Sequence, residues 1–314
     1  MRIAVFGTGA VGGYFGGRLA QAGEEVIFIA RGENLKALRE NGLRVESISG
    51  DFSLKPVHAT DEPDEAGVVD AVLVCVKTWQ VEAAARAVRP MVGRETAVVP
   101  LQNGVEAPGR LAEVLGKERV LGGLCGLYTY MVGPGHIRHA GAAPFIKIGE
   151  LDNRKSERVE RLRQALERAE GLSVEVPPDI HSALWQKFVL IAGWGGLGAV
   201  TRAPIGVIRT REGTRLMMER SMREILEVGR ARGVILEDAV IPNTLGFLDG
   251  LPPNGTASMQ RDLMDGRPSE LEAQNGAVVR MGREAGVETP VNAFVYHSLL
   301  PMELRARGEL EFEV

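Results

Sequence analysis

Cysteine is scarce in this chain, and metal-binding motifs are missing. The 314 residues include only Cys75 and Cys125, whose spacing matches no metal-binding motif. The five histidines are scattered, without an H-x-x-x-H or H-E-x-x-H pair. We therefore expect buried structural thiols, a reducing compartment and no metal site.

Basic runs and long apolar runs are missing as well. The formal net charge is −4, which argues against a nucleic acid partner. The most apolar stretch, residues 188–201, is glycine-rich and shorter than a membrane span, so we expect a buried helix and no membrane partner. The first residues already form a strand pattern, which predicts no signal peptide and a cytoplasmic protein.

The N-terminal segment carries the most informative motif. Residues 1–6 form an apolar strand pattern, and residues 13–22 form a helical pattern. Between them lies a G-x-G-x-x-G turn made of Gly7, Thr8, Gly9, Ala10, Val11 and Gly12. In this context the glycines allow a tight turn and close approach of a pyrophosphate, which the helix N-terminus attracts. The motif therefore predicts a dinucleotide-binding site.

Arg31 indicates which dinucleotide is bound. It ends the second strand pattern, residues 25–30, about 20 residues after the glycines, where NAD enzymes carry Asp or Glu. A guanidinium there suits a 2′-phosphate, so we predict NADP(H). An ordinary surface arginine that opens the next helix is the alternative, and Glu33 leaves dual cofactor use open.

Apolar strand patterns alternate with helical patterns up to residue 176. Further strands are predicted at 68–76, 96–101, 120–124, 145–149 and 172–176, and helices at 80–88, 105–115 and 156–170. The segment 124–134 is predicted as a loop. Such alternation is typical of a doubly wound parallel sheet with both faces buried. We therefore predict an α/β fold that begins with a Rossmann-type domain.

Pro177 and Pro178 end the alternation, and helical patterns follow. We predict residues 1–178 as the NADP-binding Rossmann domain and residues 179–314 as an all-helical domain for substrate binding or dimerisation. The predicted helices begin near residue 180 and cover 215–232 and 270–285. The second of these helices has a methionine-rich stripe, which we expect to pack in the core of the domain. A homodimer that forms through this helix is an open alternative.

Lys77 and Asn103 each follow a predicted strand of the parallel sheet. Their strands end at the sheet edge that carries the glycine turn, where ligands bind in such folds. A lysine there can contact a phosphate or a substrate carboxylate, and an asparagine can hold a ribose, a carboxamide or a substrate oxygen. The structural alternatives are a solvated helix start for Lys77 and an Asn-Gly turn for Asn103.

Lys187 and Glu270 are the candidates for acid–base chemistry. Lys187 is one charge inside the apolar helix pattern 184–191, and burial lowers the pKa of an amine, which suits a proton donor near neutral pH. A lysine that extends to solvent is the alternative. Glu270 could pair with Lys187, or it could favour the dipole of a helix that Ser269 caps and Glu272 completes as a capping box.

Six sequence elements occur in an order that resembles the ketopantoate reductase family over essentially the whole chain. They are Gly7–Gly13, Arg31, Cys75–Thr78, Leu101–Val105, Trp185–Lys187 and Ser258–Asp262, the last followed by Glu270. The resemblance implies NADPH-dependent reduction of a 2-keto acid. In the family's best-known case ketopantoate (2-dehydropantoate) becomes pantoate, in pantothenate and coenzyme A biosynthesis.

The resemblance also implies a role for each matching side chain. Lys187 would donate a proton to the developing alkoxide, and Glu270 would orient Lys187 and bind near the cofactor. Asn103 and Lys77 would bind at the nicotinamide and substrate end. Ser258 would contact the substrate. These roles agree with the physical chemistry, because negative charge grows on the carbonyl oxygen as hydride reaches the carbon.

The helix of Lys187 departs from the family pattern. The family usually carries substrate-binding asparagines four and eight residues after the lysine, where this chain has Ile191 and Gly195. Ala203 also lies in a region where an asparagine is common. We therefore expect either ketopantoate or a less polar 2-oxo acid or an imine as the substrate. A non-catalytic NADP(H)-binding sensor is a further alternative, against which Lys187 and Glu270 argue.

Overall fold

The computed structural model describes residues 1–313, in which the chain divides into two units. The first holds residues 1–102 and 106–180, and the second holds residues 103–105 together with the chain from residue 181 onward. The predicted domain boundary at residue 178 stays a prediction. The strands of the described residues all lie in the first unit: β1 (Arg2–Phe6), β2 (Glu25–Ile29), β3 (Leu43–Ser47), β4 (Phe52–Leu54), β5 (His58–Thr60), β6 (Val69–Val74), β7 (Val92–Pro100), β8 (Leu121–Gly133), β9 (His136–Glu150) and β10 (Ser173–Glu175).

Five of these strands form a parallel sheet in the order β5-β2-β1-β6-β7. The helices of this unit are α1 (Ala10–Gln21), α2 (Gly32–Asn41), α3 (Pro63–Ala66), α4 (Val81–Ala87), α5 (Ala107–Leu115) and α6 (Glu157–Glu167). Alternate residues of β1 enter two different cores: Ile3 and Val5 pack with α1, whereas Ala4 and Phe6 pack with α4 and α5. Both faces of the sheet are therefore covered, which confirms the doubly wound Rossmann-type fold.

A second sheet has the order β10-β9-β3-β4, and β8 pairs antiparallel with β9. The prediction of a loop at residues 124–134 is wrong, because β8 continues to Gly133 and forms a hairpin with β9. The far part of this strand is apolar but exposed, for example at Tyr128 and Tyr130. Gly126, Gly133 and Pro134, which flank it, are signals of turns and loops and conceal the strand in the sequence.

Helix α1 packs closely against both sheets. A β-carbon on Gly16 would lie 2.7 Å from Val5 of β1, and one on Gly13 would lie 2.3 Å from Ile137 of β9. Only glycine leaves room for such an approach. Helix α1, whose N-terminus follows the glycine turn, is thus held in position by close packing against both sheets.

The regular secondary structure of the second unit is helical, without a strand among its described residues, as predicted. Its helices are α7 (Ile180–Thr201), α8 (Ile205–Thr210), α9 (Glu212–Ala231), α10 (Val240–Asp249), α11 (Ser258–Met264), α12 (Ala277–Ala285) and α13 (Pro290–Ala306), with a π-helical turn at Glu272–Gly276. Met218 and Met222 of α9 are fully buried in a cluster that α7 and α12 share. The methionine stripe is therefore core within one chain rather than a dimer surface.

Helix α7 is the one described helix whose length and composition would allow it to cross a membrane. In the structure, 67% of its most apolar window is buried by protein. Phe188, Val189 and Ala192 of this helix belong to the core of the second unit. These contacts are those of the core helix of a folded domain, as the glycine-rich pattern predicts.

Candidate active site

The glycine turn joins β1 to α1 in a shape that only glycine allows at two of its positions. Gly7 has φ +96°, and a β-carbon there would lie 2.8 Å from Val76 Cγ1. A β-carbon on Gly12 would lie 2.3 Å from the Gly7 carbonyl oxygen. Gly9 differs, because no atom lies within 4 Å of the place its β-carbon would take. The turn is therefore packed against protein at Gly7 and Gly12 and open at Gly9.

The backbone N–H groups at the N-terminus of α1 could bind an anion. Gly9 is its N-cap residue, no side chain caps the helix, and its first turn contains no acidic residue. The Gly7 and Thr8 amides and the Thr8 hydroxyl all donate to Ile29 O, at 3.2, 3.3 and 3.1 Å, which fixes the turn to the end of β2. The open backbone at Gly9 and the uncapped helix match the requirements of a dinucleotide pyrophosphate.

Asn34 of α2 braces this turn, and sequence analysis did not single it out. Its Nδ2 donates to Thr8 O at 2.6 Å, and its Oδ1 accepts from the Gly135 amide at 2.8 Å. The side chain thus links the glycine turn to the β8–β9 connection. No local pattern could have identified it, because Gly135 is 101 residues away in the chain.

Arg31 lies beyond the carboxyl end of β2, the neighbour of β1 in the sheet. It is the N-cap residue of α2, its backbone is extended, and its side chain is exposed. Glu33 is in the first turn of the same helix and is also exposed. The side chain therefore lies at the sheet edge where the sequence predicts the 2′-phosphate contact, and that role stays a prediction.

Lys77 follows β6 at the same edge of the parallel sheet. Its side chain is exposed, and Nζ lies 5.8 Å from the centre of the Trp79 ring. The backbone leading to it is held by Gln102, whose Nε2 donates to Val74 O at 2.8 Å and to Val76 O at 3.0 Å. Gln102 is thus a positioning residue that sequence analysis missed, although it lies inside a quoted motif.

Asn103 and Glu270, which are 167 residues apart in the chain, contact each other in the second unit. Asn103 Nδ2 donates to Glu270 Oε2 at 3.2 Å. Glu270 is buried, with 8% of its surface exposed. The neighbouring Gly104 has φ +99°, and its β-carbon would lie 3.0 Å from Ala273 O. The Asn-Gly dipeptide lies in a bend of the chain, where Gly104 has a left-handed backbone and the Asn103 amide meets Glu270.

The segment around Glu270 does not begin as the predicted α-helix. Ser269 does not form a capping box with Glu272, because the Ser269 amide and hydroxyl both donate to the buried Glu303. Glu272 instead accepts from Arg280 Nη1 at 2.5 Å and from the Tyr296 hydroxyl at 2.7 Å. The helix starts as a π-helical turn, a feature that is frequent at functional sites.

Lys187 lies on α7 between buried aromatic residues. Trp185 and Phe188 are buried, whereas the Lys187 side chain is partly exposed and not fully buried. Ser258 is the first residue of α11 and is exposed. Lys187, Ser258, Asn103 and Glu270 all belong to the second unit. The roles that the resemblance gives them stay predictions.

Two family models match most of the chain. The model described as Ketopantoate reductase PanE/ApbA matches residues 3–153, and the corresponding C-terminal model matches residues 179–303. The chain is 32% identical over 315 residues to a 2-dehydropantoate 2-reductase from Nostoc sp., with 98% of each chain covered.

Solved structures agree with this match. A PanE/ApbA family ketopantoate reductase from Ralstonia eutropha superposes with a TM-score of 0.89 at 34% identity, over 98% of this chain and all of that one. D-mandelate dehydrogenase, solved with NADH and anilino(oxo)acetate, shares the fold with a TM-score of 0.89 at 23% identity, over 98% and 99% of the two chains. Ketopantoate reductases use NADP(H) as the hydride donor. The chain therefore belongs to the ketopantoate reductase family and is an NADP-dependent oxidoreductase.

Proposed function

We propose that this protein reduces a 2-keto acid to a 2-hydroxy acid with NADPH, and that the acid is ketopantoate, which becomes pantoate. The observation that carries the proposal is the hydrogen bond between Asn103 and Glu270. It joins two motif residues from distant parts of the chain, in the unit that also contains Lys187. A folded core alone does not require a buried carboxylate and an amide at this position.

In the proposed reaction, NADPH supplies the hydride that reaches C2 of the substrate. The open backbone at Gly9 and the first turn of α1 hold the cofactor phosphates, and Arg31 pairs with the 2′-phosphate. As C2 is reduced, its oxygen gains negative charge. The Lys187 ammonium stabilises this charge and then donates a proton from Nζ to the alkoxide, which completes the hydroxyl group.

Glu270 orients the ammonium of Lys187 in this proposal. Its own orientation is fixed by the Asn103 amide at 3.2 Å and by its backbone, whose carbonyl oxygen accepts from the Gln274 amide N–H at 3.0 Å two residues before the π-helical turn begins. Lys77 and Asn103 bind at the nicotinamide and substrate end, and Ser258 contacts the substrate. We also propose that the enzyme acts in the cytoplasm on a free small molecule, without a nucleic acid or membrane partner.

The test is the initial rate of NADPH oxidation with ketopantoate at saturating cofactor, together with the Lys187→Ala variant. We expect the variant to bind NADPH normally and to lose about 10²–10⁴-fold in kcat, the usual worth of a positioned proton donor. Lys155→Ala, which removes an exposed lysine of the first unit, is the matched control and should keep full activity. An unchanged kcat in Lys187→Ala would contradict the role of Lys187.

A second candidate is a member of the family that reduces a less polar 2-oxo acid or an imine. Ile191 and Gly195 favour it, because neither side chain can pair with a polar group of the substrate. A third candidate is an NADP(H)-binding sensor without turnover. Binding of NADPH without reduction of ketopantoate or of any less polar 2-oxo acid would favour the sensor.

A further inference from the structure

Gln274 is a buried amide close to the residues of the proposed reaction. It lies in the π-helical turn, where its amide N–H donates to Glu270 O at 3.0 Å. It is therefore one turn beyond the carboxylate that contacts Asn103. Only 2% of the Gln274 surface is exposed, a value that is unusual for an uncharged polar side chain of this size.

The Gln274 amide lies against the part of α7 that lacks a side chain. A β-carbon on Gly195 would be 3.4 Å from Gln274 Oε1, 3.5 Å from Met259 Cε and 3.6 Å from Ala257 Cβ. Gly195 is about two turns beyond Lys187 on the same helix. The surroundings of Gly195 thus consist of small apolar groups and one amide.

The Gln274 side-chain amide forms no hydrogen bond within residues 1–313, although only 2% of the residue is exposed, whereas the NH2 groups of two neighbouring buried amides donate to protein oxygens. Gln260 Nε2 donates to Ala203 O at 3.0 Å, and Asn275 Nδ2 donates to Asn292 Oδ1 at 2.9 Å. The Trp194 indole N–H of α7 and Asn275 Oδ1 are buried without a partner in the described part of the chain. A buried polar group without a partner in the protein costs free energy unless water or a ligand pairs with it, so the Gln274 amide is available to a ligand.

We propose that Gln274 is a specificity-determining residue, whose amide hydrogen-bonds a hydroxyl group of the 2-keto acid remote from the reacting carbonyl. The inference rests on the proposed function. In ketopantoate the hydroxyl on C4 is such a group, and the methyl groups on C3 suit contact with Met259 and Ala257. The π-helical turn thus contributes the hydrogen bond that Ile191 and Gly195 of α7 cannot make.

The test compares two substrates that differ by one hydroxyl group: ketopantoate and 3,3-dimethyl-2-oxobutanoate. We expect the wild-type enzyme to prefer ketopantoate in kcat/KM. Gln274→Leu keeps the size of the side chain and removes the amide, so it should lower kcat/KM for ketopantoate about 10–100-fold, the worth of one hydrogen bond to a buried group. For the analogue, kcat/KM should change less than about threefold, so the preference collapses.

Two further variants separate a lost hydrogen bond from structural damage. Damage lowers kcat/KM for both substrates by the same factor, whereas a lost hydrogen bond changes their ratio. Gly195→Asn combined with Gln274→Leu returns an amide from the α7 side, where a β-carbon meets only ordinary contacts, and should restore part of the preference. Gln164→Leu, on the exposed face of α6, is the control and should leave both substrates unaffected.

The outcomes of this comparison are distinguishable from failure of the proposed function. If the wild type reduces both acids equally, or if Gln274→Leu lowers both by the same factor, the role of Gln274 is overturned and 2-keto acid reduction stands. If the wild type reduces neither acid, the proposed function is overturned and this inference with it.

Discussion

An added methyl group should lower the free energy of unfolding at Gly12, whereas at Gly9 it should weaken the binding of NADPH without a loss of stability. In Gly12→Ala the new β-carbon would lie 2.3 Å from Gly7 O, 2.9 Å from Val5 Cγ1 and 3.0 Å from Cys75 Cβ. The first of these is a backbone oxygen in a closely packed turn, so the backbone cannot move away from the new methyl group without a loss of stability. We expect a loss of about 1–3 kcal/mol in the free energy of unfolding, as for other overpacked sites.

In Gly9→Ala the added methyl group meets no protein atom within 4 Å. The backbone at Gly9 has φ −81°, which alanine adopts without strain. The weaker N-cap propensity of alanine costs a few tenths of a kcal/mol, and the reduced entropy of the unfolded chain offsets it. Stability should therefore stay unchanged, while the methyl group blocks the approach of the pyrophosphate and raises the Kd of NADPH about 10–100-fold.

Thermal unfolding without ligand and fluorescence titration with NADPH check both variants. Each kcal/mol corresponds to about 2–4 °C in Tm for a unit of roughly 150–250 residues, so Gly12→Ala should unfold several degrees earlier than Gly9→Ala. Normal NADPH affinity in Gly9→Ala would refute the placement of the phosphates at Gly9. Wild-type stability in Gly12→Ala would refute the argument from close packing.

Two further predictions concern charged side chains of the first unit. Arg31→Ala should raise the Kd of NADPH about tenfold or more and leave the Kd of NADH unchanged, since a charge-assisted hydrogen bond is worth about 1.5–3 kcal/mol. Titration with both cofactors checks this, and Lys36→Ala on the exposed side of α2 is the control. An equal rise in the Kd of both cofactors would contradict the 2′-phosphate contact. Glu150 is buried and accepts hydrogen bonds from Arg158 Nε and Nη2 at 2.7 and 2.6 Å. Burial raises the pKa of Glu150, but its hydrogen bonds with Arg158 and Ser156, together with the charges of Arg158 and Arg154, outweigh this and hold the pKa below the ordinary 4.5. A lowered folded-state pKa stabilises the fold above the unfolded pKa, and this stability is lost as the pH falls through the folded pKa. Glu150→Gln should therefore destabilise the fold by about 3–5 kcal/mol at pH 7, and the difference from wild type should narrow below about pH 4.5 in denaturant unfolding; a difference independent of pH would contradict the ion pair.

The largest errors of the sequence-based predictions occur where the pattern is weak or where contacts are distant. The β8 strand was missed beyond residue 124 because Gly126, Gly133 and Pro134 flank its far half, and such residues are signals of turns and loops. The alternative of a capping box at Ser269 fails because Glu303, from a helix near the end of the chain, accepts the hydrogen bonds of the Ser269 amide and hydroxyl. A local motif cannot reveal such a competitor.

By itself, the sequence determined the parallel sheet, the helical second half and the glycine turn with its uncapped helix. The strands and helices of these regions leave a local period of apolar residues, and the glycine turn leaves a local motif, so both can be recognised without knowledge of distant contacts. The sequence also indicated Lys187 and Glu270 as acid–base candidates, whereas their specific roles came from the resemblance to a family.

Only the tertiary structure decided which of these side chains meet. The Asn103–Glu270 hydrogen bond spans 167 residues, the link from Asn34 to Gly135 spans 101, and the Gln274 amide reaches Gly195 from another helix. Such contacts depend on how helices and sheets pack, and packing within a few tenths of an ångström leaves no periodic trace in the sequence. The π-helical turn that aims Gln274 at Gly195 is a property of that packing.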